Sequence, residues 1–301
     1  MEKTINQIIY TKFNSISLTI RREDLIHPFV SGNKFRKLKY NLKEFQEKGY
    51  DSLVTFGGAF SNHIAATAYA CRENGINCVG VIRGEELPSR ISENATLRFA
   101  QENGMKFEFI TRAQYQEKES ADFEKYLKYK YGNCFILPEG GTNALAVKGC
   151  KEILSNEDSC YDFICCSVGT GGTISGIINS VLPHQKVIGF PALKGDFLQS
   201  EIRKFAENNN WELVSDYHFG GYGRVTEELI DFINQFYEDT KIPLDPIYTG
   251  KMVYGIIDLI QKGYFPRNAH VLLIHTGGLQ GIHGMNNYLE QKKMKKINFN
   301  E

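Results

Sequence analysis

The sequence predicts an α/β protein built on open parallel sheets, and three observations predict it. From residue 52 onward, short apolar runs alternate with longer runs of helical period. The apolar runs are continuous rather than alternating, as expected of strands covered on both faces. Several of them end in glycine-rich loops that lead straight into a helix, which is where parallel α/β sheets gather their ligands.

Before that rhythm starts, Ser31 to Tyr40 passes from a Gly-Asn turn into a helix marked by Phe35, Leu38, Leu42 and Phe45 at three- and four-residue spacing. Lys34 and Lys37 therefore stand one turn apart at a helix entrance, where the free N–H groups disfavour a cation. That placement suits a neutral amine or a nearby anion, so Lys34 is a candidate nucleophile. The plainer alternative is a solvated basic face made of Lys34, Arg36, Lys37 and Lys39.

The elements then follow in order. Ser52 to Phe56 is a buried strand, Ile64 to Asn74 a helix closed by Gly75, and Cys78 to Ile82 a strand. A helix over Ile91 to Asn103 closes at Gly104 and precedes a strand from Lys106 to Ile110. A polar helix spans Ser120 to Tyr131, and the strand Phe135 to Leu137 runs into Pro138-Glu139-Gly140-Gly141-Thr142-Asn143. Beyond it come helix Ala144 to Leu154, strand Phe163 to Ser167, helix Thr173 to Val181 and strand Val187 to Phe190. A helix over Asp196 to Asn209 and a strand Trp211 to Val214 lead to the irregular loop Phe219-Gly220-Gly221-Tyr222-Gly223. Helices at Thr226 to Thr240 and Lys251 to Lys262 precede the last strand, Val271 to His275. The pattern divides into two α/β blocks that join near residues 145 to 160. The tail, with Lys292, Lys293, Lys295 and Lys296, reads as a solvated end.

The chain has 301 residues, 42% hydrophobic and 23% charged, a globular composition with room for two domains. Lys+Arg and Asp+Glu both number 35, so no net field draws nucleic acid or membrane, and a small molecule is the expected partner. No run approaches the roughly 18 apolar residues of a membrane helix, and the start lacks a signal-peptide core, so a cytoplasmic location is expected. Seven cysteines, mostly inside apolar segments, fit free thiols in a reducing compartment. No paired Cys-x-x-Cys spacing suggests a metal site.

Three loops hold the candidate chemistry. Gly169-Thr170-Gly171-Gly172-Thr173 follows a strand and opens a helix, offering backbone N–H groups and two hydroxyls to a phosphate. Its spacing is neither that of a P-loop nor a dinucleotide fingerprint, and a plain strand-to-helix turn is the competing reading. Gly57-Gly58 leads to Ser61, Asn62 and His63 at a helix start, where an N-cap accounts for one polar residue but less readily for three. The last strand ends in His275-Thr276-Gly277-Gly278, preceded in the chain by Tyr248-Thr249-Gly250-Lys251. A lone His at a strand end is more often packed than catalytic, so His275 is left without a role.

Taken in order, Gly-Asn-Lys at Lys34, the diglycine with Ser61-Asn62-His63, the Gly-Thr-Gly-Gly-Thr loop and His-Thr-Gly-Gly at Thr276 resemble a known group. They are similar to pyridoxal-phosphate enzymes of the tryptophan-synthase-β fold (fold type II), in the branch of D-cysteine desulfhydrase and 1-aminocyclopropane-1-carboxylate deaminase. The resemblance runs from Arg21-Arg22-Glu23-Asp24 to Gly278. It implies a large domain of residues 1–43 and 151–301, a small inserted domain of residues 44–150, and the cofactor in the cleft between them. Lys34 would be the Schiff-base lysine. Lys37 and Gly169, Thr170, Gly171, Gly172 and Thr173 would hold the cofactor phosphate, and Asn62 its 3′-oxygen. Ser61 and His63 would face the substrate carboxylate, with Asn62 beside them. Thr276 would stand at the pyridine nitrogen, where a hydroxyl withdraws carbanion charge less than a carboxylate would. Tyr248 would wall the site as an acid/base candidate, or be a core tyrosine. A homodimer is expected from the resemblance alone.

Within that branch the deaminases carry Glu after the Tyr, Leu after the His and a further tyrosine two residues before that His. Thr249, Thr276 and Leu273 depart from this pattern, and the two threonines agree with the desulfhydrase type. The resemblance thus implies a lyase that performs α,β-elimination on a small D-amino acid, D-cysteine giving pyruvate, ammonia and hydrogen sulfide, with Lys34 as base. The deaminase, formally a hydrolase, is the alternative within the family. A non-catalytic pyridoxal-phosphate or phosphometabolite binder is the alternative of another class, ahead of a dinucleotide oxidoreductase. The expected cofactor is pyridoxal 5′-phosphate.

Overall fold

The computed structural model describes residues 4–9 and 16–299. In chain order the strands are β1 (Asn6–Ile9), β2 (Ser17–Arg21), β3 (Ser52–Gly57), β4 (Asn77–Arg83), β5 (Lys106–Ile110), β6 (Cys134–Leu137), β7 (Phe163–Val168), β8 (Lys186–Pro191), β9 (Trp211–Leu213) and β10 (His270–Ile274). The helices are α1 (Asn33–Lys48), α2 (Asn62–Glu73), α3 (Ala95–Glu102), α4 (Arg112–Gln116), α5 (Ala121–Tyr131), α6 (Ala144–Cys150), α7 (Gly172–Ile178), α8 (Phe197–Arg203), α9 (Glu227–Thr240), α10 (Thr249–Gln261) and α11 (Gly281–Gln291).

The continuous apolar runs form central strands because both of their faces are covered. In β3, Leu53 packs against α2 and α3 residues on one face while Val54 and Phe56 meet Tyr115 and Leu127 on the other. In β10, Val271 and Leu273 face the α9 and α10 core, and Leu272 and Ile274 face the α7 side. Two sheets result. One has four strands in the order β5-β4-β3-β6, all parallel; the other has six in the order β1-β2-β10-β7-β8-β9, parallel except for the antiparallel edge pair β1–β2. The mixed α/β architecture with two mostly parallel sheets is thus the one the sequence predicts.

Local differences have local causes. The helix expected over Ile91 to Asn103 starts at Ala95, because the Asn94 side chain accepts from Leu97 N at 2.9 Å and caps it there. The helix expected to reach Asn209 ends at Arg203, since Asn208 and Asn210 turn their amides onto Ile178 O and Gln185 O. The tail is not simply solvated. Ile297 is buried and its N–H donates to Asn286 Oδ1 at 2.9 Å, while Asn298 N donates to Asn234 Oδ1, docking the strand of chain although its lysines stay at the surface. All seven cysteines are free, and only Cys160 is exposed. Among the described residues no helix is long and apolar enough to cross a membrane.

Candidate active site

Four loops from the carboxyl ends of parallel strands, two from each sheet, converge on one cavity of about 980 Å³. They follow β3, β6, β7 and β10, and α1 enters among them. The entrance of α1 is built against the β10 exit. Asn33 N donates to Thr276 O at 3.3 Å, and Gly32, at φ 59°, lies so close that a side-chain carbon there would stand 2.1 Å from Thr276 O. Only glycine meets both demands.

The basic residues of α1 are sorted by this packing and do not form a common solvated face. Arg36 and Lys37 are buried, Lys34 is half-buried on the cavity wall, and Lys39 is exposed beside Glu152. Lys37 Nζ donates to Gly140 O and Thr142 Oγ1, both at 2.9 Å, and to Thr170 Oγ1 at 3.3 Å. Lys34 Nζ has a lighter hold, on Asn33 Oδ1 at 3.1 Å, and Asn33 in turn donates to Thr173 Oγ1 at 2.8 Å. Burial, followed by the charge of Lys37, lowers the Lys34 amine to about 7. Burial likewise lowers Lys37 to about 8. The main cause of the lowering is therefore desolvation, which the sequence did not reveal.

The Gly-Thr-Gly-Gly-Thr loop sits across from these lysines. Gly169, Thr170, Gly171 and Thr173 line the cavity, whereas Gly172 lies behind the wall, where a side-chain carbon would come within 2.9 Å of Thr142 Oγ1 and 3.2 Å of Lys37 Nζ. Thr170 and Thr142 share a hydroxyl contact of 2.6 Å. Two hydroxyls and an ammonium therefore point at one spot.

On the small-sheet side, Ser61 and Asn62 line the cavity at the start of α2. Ser61 also caps that helix, accepting from Ile64 N at 3.3 Å, so its N-cap reading holds while it still borders the cavity. His63 borders the cavity but points its nitrogens into the fold: Nε2 pairs with Thr55 Oγ1 at 2.7 Å and Nδ1 with Thr67 Oγ1 at 3.4 Å. Burial and the nearby lysine charges drive its pKa well down, so the ring is neutral.

On the large-sheet side, Thr276 Oγ1 lies 3.2 Å from Ser167 Oγ. Tyr248 packs its ring on Gly169 and meets Tyr222 edge-on, with centroids 6.2 Å apart. Burial pushes its hydroxyl well up, which keeps the proton on. The buried Asp245 carboxylate sets this residue by accepting from the N–H groups of Ile247, Tyr248 and Thr249. Thr249 turns its hydroxyl onto Asp245 Oδ1, 2.7 Å away. Thr249 and Leu273 are both fully buried and absent from the cavity wall. His275 is packed: it accepts from Gly277 N and its Nε2 bonds Pro243 O at 2.7 Å.

Sequence reasoning missed Asn33, Gly140, Thr142 and Tyr222. The signal for Gly140 and Thr142 was present, because Pro138 to Asn143 is a glycine loop at a strand end like the other three. Tyr222 sits in a loop that the buried Lys251 organises, its Nζ donating to His218 O and Gly221 O at 2.9 Å.

Over residues 9–277 the chain matches the pyridoxal-phosphate dependent enzyme family. The mitochondrial bifunctional D-cysteine desulfhydrase/1-aminocyclopropane-1-carboxylate deaminase of Arabidopsis thaliana is 30% identical over 302 residues, 90% of this chain and 74% of that one. A D-cysteine desulfhydrase of Klebsiella pneumoniae is 28% identical over 291 residues, 87% of each chain. Among solved structures, an ACC deaminase homologue superposes with a TM-score of 0.81 at 26% identity, covering 96% of this chain and 93% of that one.

Proposed function

This chain belongs to the pyridoxal-phosphate dependent enzyme family, and we propose that it eliminates the β-substituent of a small D-amino acid, D-cysteine yielding pyruvate, ammonia and hydrogen sulfide. The observation that carries the reading is the pair of lysines on α1. One borders the cavity with its amine lowered by burial to about 7, and the other is clasped one turn later against hydroxyls and a glycine loop.

The cavity fits the cofactor. Lys34 offers an amine, Lys37 with Thr142 and Thr170 offers donors for a phosphate, and Gly172 leaves the room that a side chain would take from them. Ser167 and Thr276 present uncharged hydroxyls for a ring nitrogen. Bound through Lys34, pyridoxal phosphate supplies an electron sink for charge that develops at the substrate Cα.

The chain's own groups do the rest. Lys34, its pKa lowered by burial to about 7, would hold the cofactor and, when its amine is free and uncharged, would take the Cα proton. Ser61 and Asn62 at the head of α2 hold the substrate carboxylate, and the neutral His63 behind them adds no charge to that end of the site. Tyr248 lines the cavity against Gly169 and keeps its proton, so it would wall the site as an uncharged hydrogen-bond donor. Water completes the products. Residues 44–150 would form the small domain that brings Ser61 and Asn62, and the working protein would be a cytoplasmic homodimer.

The bifunctional Arabidopsis relative makes cyclopropane deamination the second reading. Here Thr249 and Leu273 are turned into the core and offer no acid/base group to a ring-opening step.

The test is an absorbance spectrum of the purified protein with pyridoxal phosphate, before and after D-cysteine, with pyruvate assayed in the same tube. A visible band that changes as pyruvate forms supports elimination. 2-Oxobutyrate from aminocyclopropane-carboxylate supports the deaminase instead. A band with no turnover of any β-substituted D- or L-amino acid favours a binding protein.

A further inference from the structure

The cavity is walled by charges in excess of what a thiol substrate calls upon, and nearly all of them are paired. Lys204 meets Glu201 at 2.7 Å, and Lys118 meets Glu139 at 3.4 Å. Lys37 is satisfied by a carbonyl and two hydroxyls, and Lys34 donates to Asn33 Oδ1. Arg83 is different. It lines the same cavity at the carboxyl end of β4, beside the β3 loop, and among the described residues no carboxylate lies within 4.0 Å of it.

Its side chain is exposed, and two contacts orient it. The guanidinium lies 5.6 Å from the centroid of the buried Tyr115 ring, so one face is occupied by a cation–π contact while the edge N–H groups remain available. Nη2 comes within 3.6 Å of the place where a Gly58 side chain would begin, which sets it against the diglycine loop that leads to Ser61 and Asn62. A guanidinium cannot shed its charge at any working pH. It is a permanent cation, held by an aromatic face, beside the loop that takes the substrate.

We propose that Arg83 forms an anion subsite at the cavity mouth and selects amino acids whose β-leaving group carries its own negative charge, such as a carboxylate or sulfonate. This rests on the elimination reading and names the substrate class within it. D-Cysteine itself has no such group and leaves the subsite empty. For an S-carboxymethyl substrate the Cβ–S bond breaks, the sulfur departs with its pair and a proton as mercaptoacetate, and water supplies the oxygen of pyruvate as ammonia leaves.

The test compares S-carboxymethyl-D-cysteine with its neutral isostere S-carbamoylmethyl-D-cysteine on the holoenzyme, by titration calorimetry and by pyruvate release. Wild type is expected to bind the carboxylate about tenfold tighter than the amide, a charge-assisted bidentate contact being the difference. Arg83→Met should bring that ratio to about one, and Arg83→Lys should restore part of it. D-Cysteine kcat/KM should change less than about twofold in both variants. Equal losses for D-cysteine and the carboxymethyl substrate would assign Arg83 to the α-carboxylate and overturn the proposal, as would an unchanged ratio in Arg83→Met. If no substrate yields pyruvate, the elimination reading fails, while the calorimetric ratio still decides whether Arg83 is an anion subsite.

Discussion

An amine that must be neutral to react is costly to bury, and at Lys34 that cost has a definite pH window. The folded pKa of about 7 lies below the unfolded value of 10.5, so between those values the unfolded chain binds the extra proton. Stability of the apoprotein therefore rises with pH from about 7 to 10.5, and below pH 7 the penalty is at its full size. Lys34→Met should accordingly raise apoprotein stability at pH 7 by roughly 2–4 kcal/mol, an advantage that shrinks towards pH 10, as followed by thermal melts across that range. The same variant should lose the cofactor's visible band and all turnover. Retained turnover would remove Lys34 from the mechanism. For wild type, the rate of cofactor capture should climb through pH 7, where a surface lysine would need pH 10. The neighbouring Lys37 has another task. Lys37→Ala should weaken cofactor binding about 10- to 100-fold in a spectroscopic titration, since it removes the charged donor beside Thr142 and Thr170.

At the scale of elements, the site depends on how closely α1, α6 and α7 approach. A side-chain carbon on Gly149 would stand 2.0 Å from Arg36 O, and one on Gly176 would stand 2.4 Å from Cys150 Cβ. Gly149→Ala should therefore cost roughly 1–3 kcal/mol in urea unfolding and shift α1, so cofactor affinity should fall with it. A loss of stability with unchanged affinity would show that α6 yields and α1 does not. These approaches were invisible in the sequence, where both glycines look like weak points inside helices. Strands β3, β4, β7, β8 and β10 were legible because each is a largely buried apolar run bounded by turn residues, and the half-buried β5, β6 and β9 were legible from aromatic and aliphatic residues between turns. Strands β1 and β2 were not, since Asn6–Ile9 and Ser17–Arg21 are short and half polar. Helix α11 was hidden by Gly281 and Gly284, and it buries only Met285 and Leu289 deeply. Of the cavity wall, the loops at Gly57, Gly169 and Thr276 were readable from glycines beside hydroxyls, but the contacts of Asn33 with Thr173 and of Thr142 with Lys37 each span more than a hundred positions and leave no local pattern.

At the scale of the whole molecule, α1 is the member shared by both halves of the cavity, and its register is fixed from below by buried ions. Glu23 is fully buried and accepts from Arg36 Nε at 2.8 Å and from Arg21 Nε at 3.2 Å, while its carbonyl accepts from Gly32 N at 3.1 Å. Arg21 continues to Asp158 at 3.0 Å, and Asp24 holds Arg22 at 2.7 Å with His275 Nδ1 3.5 Å away. One carboxylate thereby links β2, the turn before α1 and the first turns of the helix that carries Lys34 and Lys37. Removing it takes from Arg36 the carboxylate that two of its N–H groups grip and from Arg21 one of its two carboxylates, in a place from which water is largely excluded, a loss that outweighs the modest net worth of the intact pair. Glu23→Ala should cost about 3–5 kcal/mol in urea unfolding, and Glu23→Gln less because it keeps the shape and part of the hydrogen bonding. If the network also sets the register of α1, both variants should weaken cofactor binding in the same order at temperatures where each is still folded. Weakened folding with wild-type cofactor affinity would show instead that Gly32, Gly149 and the β10 exit are enough to place the two lysines.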